Sequence, residues 1–190
     1  MAAIPFIDTH VHFYDLQHPS LEYGWLQPGV DHHILEAVEP IQAQRYWADD
    51  WIAESRFANV AKSIHVECAV GTPDPIEETR WLQAFADRLG HPHGIVAEVH
   101  LAQPDAEEVL AQHLEFPNMR GVRDFGEGDY ELDAAWRRGF AHLGKHDLVA
   151  CMDSRPERYA QVKDLAAAFP DTRICLDHAG LPLQRDEEYL

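Results

Sequence analysis

Short apolar or β-branched runs alternate along this chain with segments whose apolar residues recur every three or four positions. The runs Ile4–Phe13, Val60–Val70, Gly94–Leu101, Met119–Phe125, Asp147–Met152 and Thr172–His178 are bounded by Gly, Pro, Asp or Asn and predict six strands. Between them, Asp74–Leu89, Pro104–Leu114, Tyr130–Leu143 and Pro156–Phe169 carry the helical period, as in Trp81, Leu82, Phe85, Ala86 and Leu89. Pro75, Pro104 and Pro156 suit first helical turns, where a missing N–H costs nothing. The insert Tyr14–Asn59 predicts an irregular loop followed by a helix around Pro40–Arg56, placed to cover one end of the sheet.

Strands alternating with helices imply parallel pairing through right-handed crossovers, in either an open doubly wound sheet or a closed barrel. No strand runs into a Gly-rich phosphate-binding turn, whereas polar residues gather at the C-terminal ends of nearly all of them, which favours a (β/α)8 TIM-barrel type in one domain over residues 1–190. Six strands are two short of a full barrel. The expectation is a barrel that stops after the sixth strand, with a further helix starting at Glu187–Leu190.

Composition narrows the partners. Asp and Glu number 33 against 15 Lys and Arg, a balance that repels a phosphate backbone, so nucleic acid is excluded as a partner. No stretch approaches a membrane span, and the expected setting is the cytoplasm with a small-molecule substrate and a homo-oligomer open. Cys68, Cys151 and Cys175 form no Cys-x-x-Cys pair and read as buried thiols.

The candidate chemistry lies at the strand ends. In Asp8-Thr9-His10-Val11-His12, alternation points His10 and His12 the same way, where two imidazoles can share a metal ion or an anionic substrate; the competing reading is an ordinary polar pair in a loop. His65 and Glu67 share a face by the same period, and Arg123 ends an apolar strand where its guanidinium can bind a carboxylate or pair with Asp124 or another nearby acid. Leu176-Asp177-His178-Ala179-Gly180 repeats the plan of the first strand, so His178 is expected to close a triangle with His10 and His12, or else to cap the next helix together with Asp177. Tyr23 and Trp25 read as substrate-pocket lining or as buried loop anchors.

Taken together, Asp8-Thr9-His10-Val11-His12-Phe13, His65-Val66-Glu67, Gly121-Val122-Arg123 and Leu176-Asp177-His178-Ala179-Gly180-Leu181-Pro182 resemble the amidohydrolase-related (amidohydrolase 2) family, in its lactonase-like branch of sugar and pyrone-dicarboxylate lactonases. The resemblance spans essentially the whole chain and implies a distorted (β/α)8 barrel. It implies His10, His12 and His178 as catalytic and metal-binding histidines and Arg123 as a substrate-carboxylate or carbonyl binder. Glu67, His65, Tyr23 and Trp25 are expected around the substrate. One divalent cation, zinc or manganese, or a metal-free site is implied. The superfamily's eighth-strand aspartate has no counterpart after His178, and Leu148–Asp153 lacks the fifth-strand histidine of strongly metal-dependent members. The expected activity is hydrolysis of a small sugar or dicarboxylate-type lactone by activated water. A metal-dependent nonoxidative decarboxylase of the same fold and a noncatalytic fragment are the alternatives.

Overall fold

The computed structural model describes residues 4–32, 36–42, 44–126 and 128–182; His33 and the helix start expected at 187–190 lie outside them. The chain divides into two compact units, Met1–Glu98 with Gln112–Met119, and Val99–Ala111 with Arg120–Leu190.

In the first unit, β1 (Phe6–Val11) pairs in parallel with β2 (Val60–Val66), which pairs in parallel with β3 (Gly94–Glu98). All five residues of β3 are buried, the continuous burial expected of a parallel strand covered on both faces. β1 is different: Phe6 and Ile7 are about half exposed, and its register against β2 shifts between Asp8 and Val11. The insert folds into two-residue antiparallel ribbons, Tyr14–Asp15 with Arg45–Tyr46 and Asp31–His32 with Glu36–Ala37, before α1 (Ala48–Ser55). That helix starts later than the pattern predicts, because the Asp50 carboxylate accepts the Trp47 N–H at 2.9 Å and so fixes the first turn there.

α2 (Ile76–Leu89) turns Ile76, Leu82 and Phe85 inward and ends on Gly90, whose left-handed φ of 76° lets its N–H reach the Ala86 carbonyl. Beside it, the fully buried ring of His113 donates from Nε2 to the Glu98 carbonyl, so Nδ1 is left to accept the Thr79 hydroxyl. Burial pulls its pKa down to about 4, against a weaker lift from the Glu98 bond. The unfolded chain takes up that proton near 6.5, and the folded chain only near 4. Stability is therefore complete above pH 6.5 and is expected to fall by about 3 kcal/mol as pH drops to 4. Urea midpoints measured across this range check it, and a His113→Gln chain is expected to lose that part of the slope.

In the second unit, β4 (Met119–Arg123), β5 (Val149–Met152) and β6 (Arg173–Leu176) pair in parallel in that order. α3 (Ala106–His113) precedes β4, and α4 (Ala134–Lys145) and α5 (Tyr159–Ala168) supply the crossovers from β4 to β5 and from β5 to β6. Asp133 caps α4 by accepting the Trp136 N–H at 2.8 Å, and Trp136, Phe140 and Leu143 form its buried face. Gly139 lets α4 lie against the backbone of Leu101, where a Cβ would stand 2.1 Å from the carbonyl oxygen. Cys68 and Cys151 are buried as expected of isolated thiols, but Cys175 is exposed, because alternation along β6 half-buries Ile174 and Leu176 and turns Cys175 outward. Among the described residues no helix is long and apolar enough to cross a membrane.

Candidate active site

His12, Glu67, His100, Asp124 and Asp177 stand just past the C-terminal ends of β1, β2, β3, β4 and β6, while His10, His65 and Arg123 lie in the last residues of β1, β2 and β4. This is the face on which βα loops of such folds carry chemistry.

In the first unit, the rings of His10 and His12 meet edge to face with centroids 4.9 Å apart. The Nδ1–H of His12 donates to the Val66 carbonyl at 2.8 Å, which fixes the tautomer and puts the lone pair of the neutral ring on Nε2. Below His10, its backbone N–H reaches Asp8 Oδ1, while Asp8 Oδ2 accepts the Trp51 indole N–H at 3.0 Å. Trp25, half-buried, has its ring 5.9 Å from His12 and donates from its indole to the Cys68 carbonyl at 2.7 Å. The pairing of the two histidines and Trp25 is thus present as geometry.

His65, Glu67 and Tyr23 are buried. The ring of His65 is fully buried: its Nδ1 accepts the Phe13 N–H at 3.1 Å, so Nε2 must carry the proton, which it directs at Glu78 Oε1 at 3.3 Å. Both nitrogens are committed, and His65 holds the backbone next to His12 rather than a ligand. Glu67 is fully buried and its N–H continues the ladder to the Val96 carbonyl at 2.8 Å. Tyr23 lies in an apolar cluster with Leu21, Leu26, Cys68 and Ala69 and is a loop anchor, not pocket lining. Burial, then the nearby Cys68, push its phenol well above the ordinary value, so it stays protonated.

The residue that sequence reasoning misses is Glu78, in the first turn of α2. Its Oε1 accepts the N–H groups of Cys68 and Ala69 at 3.1 and 3.0 Å besides the His65 ring. Burial alone would raise its pKa, but these donors outweigh it and hold the carboxyl below the usual range. Its signal is a charge within an apolar helical stripe, Glu78, Leu82, Phe85 and Leu89, which is costly unless bonded.

In the second unit, Arg123 is buried and its Nη1 bonds Asp177 Oδ2 at 3.1 Å. The expected pairing with Asp124 is replaced because Asp124 Oδ2 is taken by the Leu101 N–H at 2.8 Å and the Trp136 indole at 2.9 Å. The guanidinium lies 4.7 Å over the ring of Phe125, which lines a cavity of about 700 Å³ together with His100, Asp124, Tyr130 and Trp136. His178 is exposed and sits with Ala179 and Leu181 in left-handed backbone, at φ of 52°, 54° and 55°. Non-glycine residues adopt this region at a cost of about 1–3 kcal/mol each, and such outliers cluster at functional sites. Gly180 between them is required: at φ 77°, an added Cβ would meet the Tyr159 hydroxyl, which donates to the Gly180 carbonyl.

Comparison with known proteins places this geometry. A family model described as amidohydrolase matches residues 7–189. The chain is 30% identical over 193 residues to the uncharacterized protein y4mH of Sinorhizobium fredii, covering 95% of this chain and 64% of that protein. It is 28% identical over 110 residues to the L-fucono-1,5-lactonase of Burkholderia ambifaria, covering 56% and 38%. An amidohydrolase from Burkholderia multivorans, solved with bound zinc, superposes with a TM-score of 0.72 at 24% identity over 93% of this chain and 58% of its own. The chain therefore spans less than two thirds of these proteins. The structural likeness shows the fold, an α/β chain of the (β/α)8 TIM-barrel type to which β1–β6 contribute.

Proposed function

Because the chain belongs to the amidohydrolase family, we propose that it serves hydrolysis of a small lactone, with His10 and His12 holding a divalent cation past the end of β1. The observation that carries this reading is the histidine pair, with centroids 4.9 Å apart and the His12 tautomer set by the Val66 carbonyl. A backbone carbonyl bonded to the ring's other N–H is a usual outer partner of a metal-binding imidazole, and two imidazole donors fit zinc. When bound, such a cation supplies Lewis acidity toward the ring carbonyl of the substrate.

The protein's own groups in the first unit do the rest. Glu78 and His65 fix the backbone at Phe13, and Trp25 presents an aromatic wall beside His12. Within the second unit by itself, Arg123 bonded to Asp177 carries a guanidinium suited to a carboxylate or carbonyl oxygen. The lactone as substrate class is supported by the relative named L-fucono-1,5-lactonase, and zinc by the solved structure that holds it.

The test is product analysis with an aldono-1,5-lactone, following acid release and identifying the product by NMR. The expected product is the open-chain hydroxy acid, formed faster than in buffer alone. Release at the buffer rate would sink the proposal, and carbon dioxide from a carboxylated ring substrate in place of lactone opening would move the assignment to a decarboxylase.

A further inference from the structure

Outside the histidine pair, two clusters among the described residues bring three metal-ligating side chains together: His65, Cys68 and Glu78, and Cys151, Cys175 and Asp177. The first is unsuited to a cation. Phe13 N–H already takes the lone pair of His65 Nδ1, which obliges Nε2 to carry a proton, and Glu78 is occupied by backbone amides.

The second is built differently, and its assembly follows from strand register. Arg123 of β4, Cys151 of β5 and Cys175 of β6 are direct partners in successive parallel pairings, so they form one lateral row. Asp177 stands just past the end of β6, where it opens a 3-10 turn. Its carboxylate leans over the row to bond Arg123 at 3.1 Å. One ligand atom from each of Cys151, Cys175 and Asp177 then lies within 4.8 Å of the others.

We propose that Cys151, Cys175 and Asp177 form a second metal site, which takes a thiophilic divalent cation such as zinc through two thiolates and a carboxylate. Two sulfurs and one oxygen select zinc over magnesium or calcium. A coordinating thiol is deprotonated outright by the cation, so entry of the metal releases two protons. The charges then close: two thiolates and a carboxylate against a divalent cation and the Arg123 guanidinium sum to zero. Arg123 is the counter-ion that keeps a site of three anions neutral. Three protein ligands leave a fourth position for solvent, and the exposed edge of Cys175 gives the ion its entry.

Titrating the reduced, metal-stripped chain with cobalt(II) tests the site, because thiolate-to-cobalt charge transfer reports sulfur ligation directly and the histidine pair cannot produce it. The expected result is a near-ultraviolet charge-transfer band that is displaced by zinc and that, with the histidine pair removed, saturates at one cobalt per chain. It is expected to persist in His10→Ala/His12→Ala and to fall to half its intensity or less in Cys175→Ser, whose exposed position leaves the thermal midpoint unchanged. Absence of the band in the wild-type chain would overturn the site. So would its survival at full intensity in Cys175→Ser, which would place the ligating sulfurs elsewhere. Persistence in the double histidine variant keeps this result separate from the fate of the lactonase reading.

Discussion

A chain with alanine at Asp177 is expected to unfold about 3–5 kcal/mol more readily than the wild type, because the Arg123 guanidinium stays buried after losing this carboxylate. Both residues are about 5% exposed or less, so water does not screen their 3.1 Å contact as it would at the surface. The cost belongs to breaking the pair, not to lacking it: Arg123→Met/Asp177→Leu removes both charges and is expected to recover most of the loss. Urea denaturation at pH 7 separates the two variants. A cost below about 1 kcal/mol for Asp177→Ala would mean that Arg123 is held by something else.

For catalysis, His12→Ala is expected to lower kcat/KM for lactone hydrolysis by at least ~10³-fold, about 4 kcal/mol of transition-state stabilisation. The loss should fall on kcat, because the ring acts where charge develops on the carbonyl oxygen and contributes little to holding the ground state. Folding should be little affected, since His12 is half-buried at the end of β1. Steady-state kinetics with a folded His12→Ala chain check this, and a rate within a few-fold of wild type would remove His12 from the machinery.

The fold was legible because hydrophobic period and strand order agree. Every predicted strand overlaps an observed one, and three of the five helices begin within three residues of the expected position and a fourth within four. The miss in the insert has a local cause. Pro40 and the aromatic residues around it read as helix, but the Trp47–Asp50 cap starts α1 later, and the preceding residues pair as short ribbons instead.

The site was legible in part. The His-x-His spacing foretold two neighbouring rings, although β1 ends at Val11 and its register shifts, so the rings meet across a strand end rather than by simple alternation. Periodicity does not tell which nitrogen is bonded. His65 has the spacing of a site residue, and only the Phe13 amide on one side and Glu78 on the other reveal it as a support. The same holds for Arg123: the sequence supplies several nearby acids, and the choice of Asp177 depends on Asp124 being committed to Leu101 and Trp136. The Cys151–Cys175 row was invisible in sequence because it is a product of register between strands 24 residues apart in number, as Cys175 pairs with Cys151.

The central claim is that the imidazole pair at the end of β1 assembles the chemistry around a divalent ion. Metal content per chain, measured by elemental analysis on protein purified without chelators, tests it most directly, on wild type, His10→Ala/His12→Ala and Cys175→Ser. The account predicts two equivalents of divalent metal in the wild type and one in each variant, the double histidine variant losing the ion at the end of β1 and Cys175→Ser losing the thiolate-bound one. Equal metal content in the wild type and the double histidine variant would contradict it.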